Sequence, residues 1–405
     1  MTARLEGEPW LTAPATVQVM DALEVAGGPD CARFVGGCVR NSLMDQPVDD
    51  IDIATRLLPA DVIKAVETAG LRAVPTGIEH GTVTAVAGGR GFEITTLRRD
   101  VSTDGRNATV AFTDDWCEDA ARRDFRINAL YADRAGEIFD PTGQGLADAL
   151  AGRVVFVGAP ERRIEEDYLR ILRFFRFYAW YGRGWPSAAA VEACAALAPG
   201  MIRLSAERVS KELLKLLAAP DPATAVRTMG GAGVLAQVLP EAHTLEIFLP
   251  MVVLSNDPTL RLSALLPPDP ETVDAAGQRL RLPNAMRARL VLAAGPPVSL
   301  EMTDREARAL IYRLGAQTFR DRVMRARAVG PEAGGDATGD LLALADQWTP
   351  PRLPVGGREL AKLGVEPGPE TGRLLKAFED GWIADDFPVT GHEDRLKALV
   401  SAPRG

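Results

Sequence analysis

Asp50 and Asp52 stand two residues apart in VGGCVRNSLMDQPVDDIDIAT (35–55), and on an extended strand that spacing turns both carboxylates to one side, where they can hold a divalent cation. Taken alone, such a pair is more often than not a solvated acidic edge. A third carboxylate favours the metal reading. Glu93 lies in FEITTLR, where alternation puts Glu93 and Thr95 on one face and Phe92 and Ile94 on the other, and hairpin pairing can bring it beside the aspartate strand. Three carboxylates can ligate two ions about 4 Å apart, which lowers the pKa of an attacking hydroxyl and stabilises the leaving oxygen of an in-line displacement. Oxygen ligands with open water positions favour Mg2+.

Upstream, Gly36 and Gly37 lie between an apolar strand and a helix, and Arg40 follows one turn later. Paired glycines recur elsewhere in the chain, so context carries the argument: backbone N–H groups at such a turn can approach an anion closely, and Arg40 adds a donor. Neither GK[ST] nor GxGxxG follows. Downstream, ARRDFRINAL (121–130) sets Arg123 beside Asp124. The long polar stretch before it (98–116) reads as a mobile surface loop and a candidate lid. EEDYLRILRFFRFYAW (165–180) reads as one amphipathic helix, with Asp167, Arg170, Arg173 and Arg176 on one half and aromatic and aliphatic residues on the other. Repeated arginine led by one aspartate suits recognition of phosphates and planar hydrogen-bonding edges.

The elements that position these residues alternate in the first third of the chain. Helical patterns at 15–26, 39–44 and 59–69 are interleaved with strands at CARFVGG and 49–54 and with a hairpin over 82–98. Strand signals nearly vanish after VVFVG (154–158), and amphipathic helices interrupted by Pro and Gly continue to the end. The expected fold class is therefore α+β: a mixed-sheet α/β head followed by all-α segments. Boundaries fall near 158, 218 and 345, the last at the Gly-rich EAGGDATGD.

The 405 residues, 46% hydrophobic and 25% charged, suffice for two to four packed domains. A net charge of −9 argues against a surface coated in nucleic acid but leaves room for a local basic groove, and arginine is concentrated between Arg98 and Arg183. The four cysteines lack CxxC spacing and read as reduced and structural. MTARLEGEPWLTAP has no basic start or apolar core of a signal peptide, and the apolar run around 247–254 is too short to span a bilayer, so a cytoplasmic protein with no membrane partner is expected.

GGCVRN, DIDIAT, HGT, FEITTLR, ARRDFRINAL, EEDYLRILRFFRF and RLSAERVSKELLKLL occur in the order and spacing of the class II tRNA nucleotidyltransferases, the CCA-adding enzymes of the DNA polymerase beta superfamily. The resemblance covers roughly residues 30 to 217. It implies a polymerase beta-like head and addition of C, C and A to the 3′ end of tRNA from CTP and ATP, with release of pyrophosphate. On this likeness Asp50, Asp52 and Glu93 hold catalytic Mg2+, and Gly36, Gly37 and Arg40 face the triphosphate. Arg123 and Asp124 contact the nucleotide, Arg173 and Arg176 help hold it, and Asp167 with Arg170 reads the Watson–Crick edge of the base. The implied segments are a catalytic head (1–158), a base-reading neck (159–217), a tRNA-binding body (218–345) and a helical tail (346–405).

Two positions depart from the family pattern: Asn41 stands where Asp is usual, and Arg126 where Thr is common. None of the three histidines precedes an Asp, so no HD phosphohydrolase motif is present, and His80 reads as a turn residue. Rival readings are a poly(A) polymerase, a CC-only or A-only enzyme, and a non-catalytic RNA-binding relative. The tail is not strongly basic, the 98–113 stretch is intact, and all three carboxylates are retained, each against one rival.

Overall fold

Alternation of buried and exposed residues builds the sheet that carries the carboxylates. In the computed structural model, which describes residues 3–104, 107–330 and 335–401, the chain divides into two units, Met1–Pro240 and Glu241–Gly405. The first holds nine strands: β1 (Ala32–Val35), β2 (Ile51–Thr55), β3 (Arg72–Gly77), β4 (Thr82–Ala87), β5 (Arg90–Thr96), β6 (Arg98–Asp104), β7 (Asn107–Phe112), β8 (Tyr131–Ala132) and β9 (Ile138–Phe139). Seven of them form one sheet in the order β3-β4-β5-β2-β1-β8-β9. The sheet is mixed: β2 and β5 run parallel, while β1 pairs antiparallel with both β2 and β8.

The helices of this unit are α1 (Pro9–Thr12), α2 (Pro14–Gly27), α3 (Gly37–Leu43), α4 (Pro59–Thr68), α5 (Trp116–Ala121), α6 (Gly145–Ala151), α7 (Pro160–Glu166), α8 (Leu169–Tyr181), α9 (Ala188–Leu197) and α10 (Ala206–Leu217), followed by helices at Ala223–Gly231 and Val234–Val238. Proline at the first turn of α2, α4 and α7 suits a position whose N–H has no intrahelical partner. One sheet face is apolar. Ile51, Ile53, Phe92, Ile94, Val83 and Ala85 are buried there, and α2 and α4 pack onto β4, which leaves Asp52 and Glu93 on the other face. Burying a side chain of the Ile or Phe kind stabilises by about 1.5–3 kcal/mol, so a one-residue slip of β2 or β5 would exchange that gain for a buried carboxylate.

Aromatic packing fixes α8 against the head. Phe174, Phe175 and Phe177 are buried, and the Phe125 ring lies 4.9 Å from Phe156 and 5.2 Å from Phe177. The second unit, Glu241–Gly405, contains helices and no strand among the described residues. Its buried clusters form around Ile311, Phe319 and Val323 and around Leu374, Phe378 and Trp382. Arg289 is clamped between Asp257 (2.6 Å) and Asp321 (2.7 Å). Among the described residues no helix is long and apolar enough to cross a membrane, and the four cysteines are free.

Most expected elements of the head are present, with four differences. The 98–116 stretch is not an irregular loop: β6 and β7 form an antiparallel ribbon with a bulge between Asp100 and Ser102, its tip at 105–106 lying outside the described residues. VVFVG forms no strand, only a single bridge between Phe156 and Phe125. Asp50 precedes the first residue of β2 instead of lying within the strand. The helix expected over 165–180 is two helices, α7 and α8, broken at Asp167, whose backbone is extended (φ −157°, ψ 106°). The Gly-rich stretch read as a boundary begins on residues outside those described, and from Gly335 a helix runs to Gln347.

Candidate functional site

The parallel pairing of β2 with β5 sets Asp52 opposite Glu93 in register. Because residues paired this way point to the same face, the two carboxylates stand side by side, with Asp50 at the mouth of the strand. Burial pushes the Asp52 carboxyl up to about 6, and the negative charges of Glu93 and then Asp50 add to the effect, while Arg123 and Arg40 oppose it. Three mutually repelling oxygen-donor groups are a donor set that suits a hard divalent cation. Among the described residues no group of three His, Cys, Asp or Glu side chains is drawn together closely enough to hold a metal ion; what the sheet sets in register is the Asp52–Glu93 pair, with Asp50 just before the strand.

Beside these carboxylates lies a cavity of about 430 Å³, lined by Gly36, Gly37, Arg40, Asp52, Arg122, Arg123, Asp124, Asn128, Asp167, Leu169, Arg170, Arg173, Phe177 and Arg208. Six arginines face three aspartates there, so a protein of net charge −9 holds the local positive groove that its arginine distribution suggests.

Gly36 takes a positive φ of 70°, which only glycine adopts without strain. Its N–H donates to Leu130 O (3.2 Å) and so belongs to the sheet; Gly37 opens α3 and lines the cavity. Arg40 is 7% exposed, and all its side-chain partners are uncharged. It donates to Asn41 Oδ1 (3.1 and 2.8 Å), to Tyr181 Oη (2.9 Å) and to Asn128 Oδ1, and its guanidinium lies 4.2 Å from the Tyr181 ring centroid. Burial therefore lowers its pKa. A buried guanidinium without a carboxylate is ready to receive an anion. Asn41 supports this arrangement as an amide can: it accepts from Arg40 and donates from Nδ2 to Pro47 O (2.7 Å). Arg126 turns away, towards Gln144 and Asp148 (3.5 Å).

Asp119, which the sequence did not single out, organises the arginines of ARRDF. It accepts from Arg122 Nε (2.8 Å), Arg123 Nη2 (3.0 Å) and Tyr131 Oη (2.7 Å). Burial works against its ionisation, yet Arg123 and Arg122 hold it well below the usual carboxylate range. Its spacing of three and four residues from Arg122 and Arg123 was the available signal. Asp124 is likewise buried. It accepts from Arg173 Nε (2.8 Å), Asn128 Nδ2 (3.0 Å) and Phe125 N (2.9 Å), and these outweigh burial to bring it to about 2.

Asp167 and Arg170 both line the cavity, but each has its own partner. Asp167 accepts from Leu169 N (3.1 Å) and from Arg208 Nη2 (2.6 Å). Arg170 donates to Glu166 and to Arg163 O (2.8 Å). Arg176 does not line the cavity; it pairs with Glu212 of α10 and lies 4.2 Å from the Phe177 ring centroid. His80 ends a short turn before Gly81, and its carbonyl accepts from Arg98.

Residues 32–155 match the poly A polymerase head domain family, and residues 187–245 match the family described as the probable RNA and SrmB-binding site of polymerase A. The mitochondrial CCA tRNA nucleotidyltransferase 1 of Mus musculus is 34% identical over 380 residues, covering 91% of this chain and 86% of the mouse protein. The CCA-adding enzyme of Latilactobacillus sakei is 31% identical, over 94% of this chain and 96% of its own. The solved structure of the Bacillus stearothermophilus CCA-adding enzyme in complex with CTP superposes with a TM-score of 0.74 at 26% identity, covering 92% of this chain and 93% of that one. With identity at this level along nearly the whole of both chains, the protein belongs to the CCA-adding tRNA nucleotidyltransferases.

Proposed function

We propose that this chain adds C, C and A to the 3′ end of tRNA from CTP and ATP, without a nucleic-acid template and with release of pyrophosphate. The observation that carries the reaction class is the in-register Asp52–Glu93 pair at the edge of an arginine-lined cavity. The acceptor is supported by the family, since the names of both relatives specify CCA addition.

In this reading Asp50, Asp52 and Glu93 hold divalent metal, with Mg2+ favoured by the all-oxygen donor set. Such metal would lower the pKa of the attacking 3′-hydroxyl and offset charge on the α-phosphate. Arg40 and Arg123, with the backbone of Gly36 and Gly37, bind the triphosphate. Asp124 holds Arg173 and Asn128 in place, and through Asn128 it orients Arg40. Asp167 accepts from the amino group of cytosine or adenine, and Arg170 donates to the neighbouring ring nitrogen, a pattern that uracil and guanine do not present. No protein nucleophile is needed, because positioning and charge stabilisation supply the rate. Arg176, engaged by Glu212, contributes by fixing α8 rather than by touching the nucleotide. The head (1–158), neck (159–217), body (218–345) and tail (346–405) are part of this proposal, as is a cytoplasmic location, which cell fractionation would test.

The test is incubation with Mg2+ and a tRNA transcript lacking CCA, with CTP and ATP supplied separately and together. Addition that stops after three nucleotides supports the reading. Long A tails, which the match to a poly A polymerase head keeps in view, would transfer it to that activity, and no incorporation would refute the enzyme.

A further inference from the structure

We propose that Arg208 is a specificity-determining positioning residue, which aims the Asp167 carboxylate at the incoming base and thereby sets discrimination for C and A over U and G. The inference rests on the proposed role of Asp167 and Arg170 and extends it to a helix of the neck that has no part in that pair.

Asp167 lies in the break between α7 and α8, so no helical backbone dictates the direction of its side chain. Two hydrogen bonds do: Oδ1 accepts from Leu169 N at 3.1 Å and Oδ2 from Arg208 Nη2 at 2.6 Å. The first is local and moves with Asp167. Arg208 therefore supplies the only external reference among the described contacts of this carboxylate. The reference is stiff. Arg208, Glu212 and Lys215 follow one another at intervals of four and three residues, one face of α10, and each grips this region: Glu212 accepts from Arg176, and the Lys215 carbonyl accepts from Trp180 Nε1 at 2.8 Å. Arg170, by contrast, is held by Glu166 and by the Arg163 carbonyl. The acceptor and donor halves of the base-reading pair are thus fixed by different helices, and Arg208 itself lines the cavity beside them.

A carboxylate free to rotate loses its registry with the exocyclic amino group, so the preferred bases lose more than the rejected ones. The full-length protein is assayed on tRNA lacking CCA, with kcat/KM measured separately for CTP and UTP. Arg208→Ala is expected to lower the CTP:UTP ratio about tenfold or more, since a site built to hydrogen-bond its substrate discriminates only while its groups are held in place; the loss should appear mainly in KM for CTP. Arg208→Lys, which keeps a donor and nearly the full side-chain length, should recover part of the ratio and serves as the readout if the alanine variant does not fold. An equal fall for both nucleotides in both variants would mark a purely structural contact and overturn the proposal. Asp167→Ala separates the levels: if it lowers the ratio while the Arg208 variants do not, only this inference fails, and if it leaves the ratio intact, the base-reading role itself fails.

Discussion

Arg173 of α8 donates from Nε to Asp124 Oδ2 across 2.8 Å, and the same carboxylate takes the Asn128 side-chain amide at 3.0 Å. Asn128 in turn accepts from Arg40. One buried aspartate thus links helix α8, the ARRDF segment and the guanidinium proposed for the triphosphate, and its removal should be felt in both stability and binding.

Asp124→Ala strands Arg173 and Asn128 without their acceptor. A broken buried ion pair costs about 3–5 kcal/mol, and the lower end is expected because Arg173 keeps 32% side-chain exposure. Chemical denaturation followed by circular dichroism measures it, and a change below about 0.5 kcal/mol would show that the carboxylate is dispensable.

The pH dependence follows from the same group. Its folded-state pKa, about 2, lies below the ordinary aspartate value near 3.9. Its contribution is therefore complete above about pH 4 and drains away as pH falls towards 2. Acid unfolding of the Asp124→Asn variant should lack this part of the limb, and superposable acid titrations of the two proteins would contradict the assignment.

Asp52 shifts the other way. At about 6 it disfavours folding once ionised, so Asp52→Asn without metal should be more stable at pH 7.5, by about 1 kcal/mol or more, with the gain gone below about pH 4. The same variant should lose transfer by a factor of about 100 or more, and it should forfeit the rise in Tm that the proposed metal set predicts for the native protein in Mg2+. Thermal melts at two pH values with and without Mg2+ decide it; a variant that still gains stability from Mg2+ would remove Asp52 from the metal set.

Tyr181→Phe deletes one acceptor of Arg40 while keeping the ring beneath it. A single lost hydrogen bond is worth about 1 kcal/mol, so KM for both CTP and ATP should rise about fivefold with kcat changed by less than about twofold. Steady-state kinetics with each nucleotide tests this, and an effect confined to one base would place Tyr181 in base reading instead.

The side-by-side placing of Asp52 and Glu93 was legible because β-sheet periodicity is strict: FEITTLR announced which face Glu93 occupies, whereas the parallel pairing to β2 and the place of Asp50 just before that strand had to come from the structure. The ribbon of β6 and β7 was masked by its polarity, although ATVAF carries the adjacent β-branched residues Thr109 and Val110 and an aromatic at Phe112. The break at Asp167 had no local cause to read, since EEDYLR lacks Gly and Pro. Tyr168 packs where Gly200 has no side chain, an added Cβ there falling 1.9 Å from the ring, and Asp167 turns to Arg208. Both causes are tertiary, from residues over thirty positions away. The same holds for Arg176, whose helical wheel position was right but whose partner, Glu212, was out of reach of periodicity.

Helix α8 runs from Leu169 to Tyr181 without a glycine or proline. Arg170 stands near one end, and the hydroxyl that receives Arg40 stands at the other. Eleven residues at 1.5 Å each make about 16 Å, a gauge length fixed by backbone hydrogen bonds. A purine and a pyrimidine measured against the same rigid gauge cannot both be accommodated by stretching it. On the proposed roles, a difference in base size would then be taken up beside Arg170, while Arg40, pinned by Asn41, Asn128 and Tyr181 at the other end, keeps its place for either nucleotide and the frame stays unmoved.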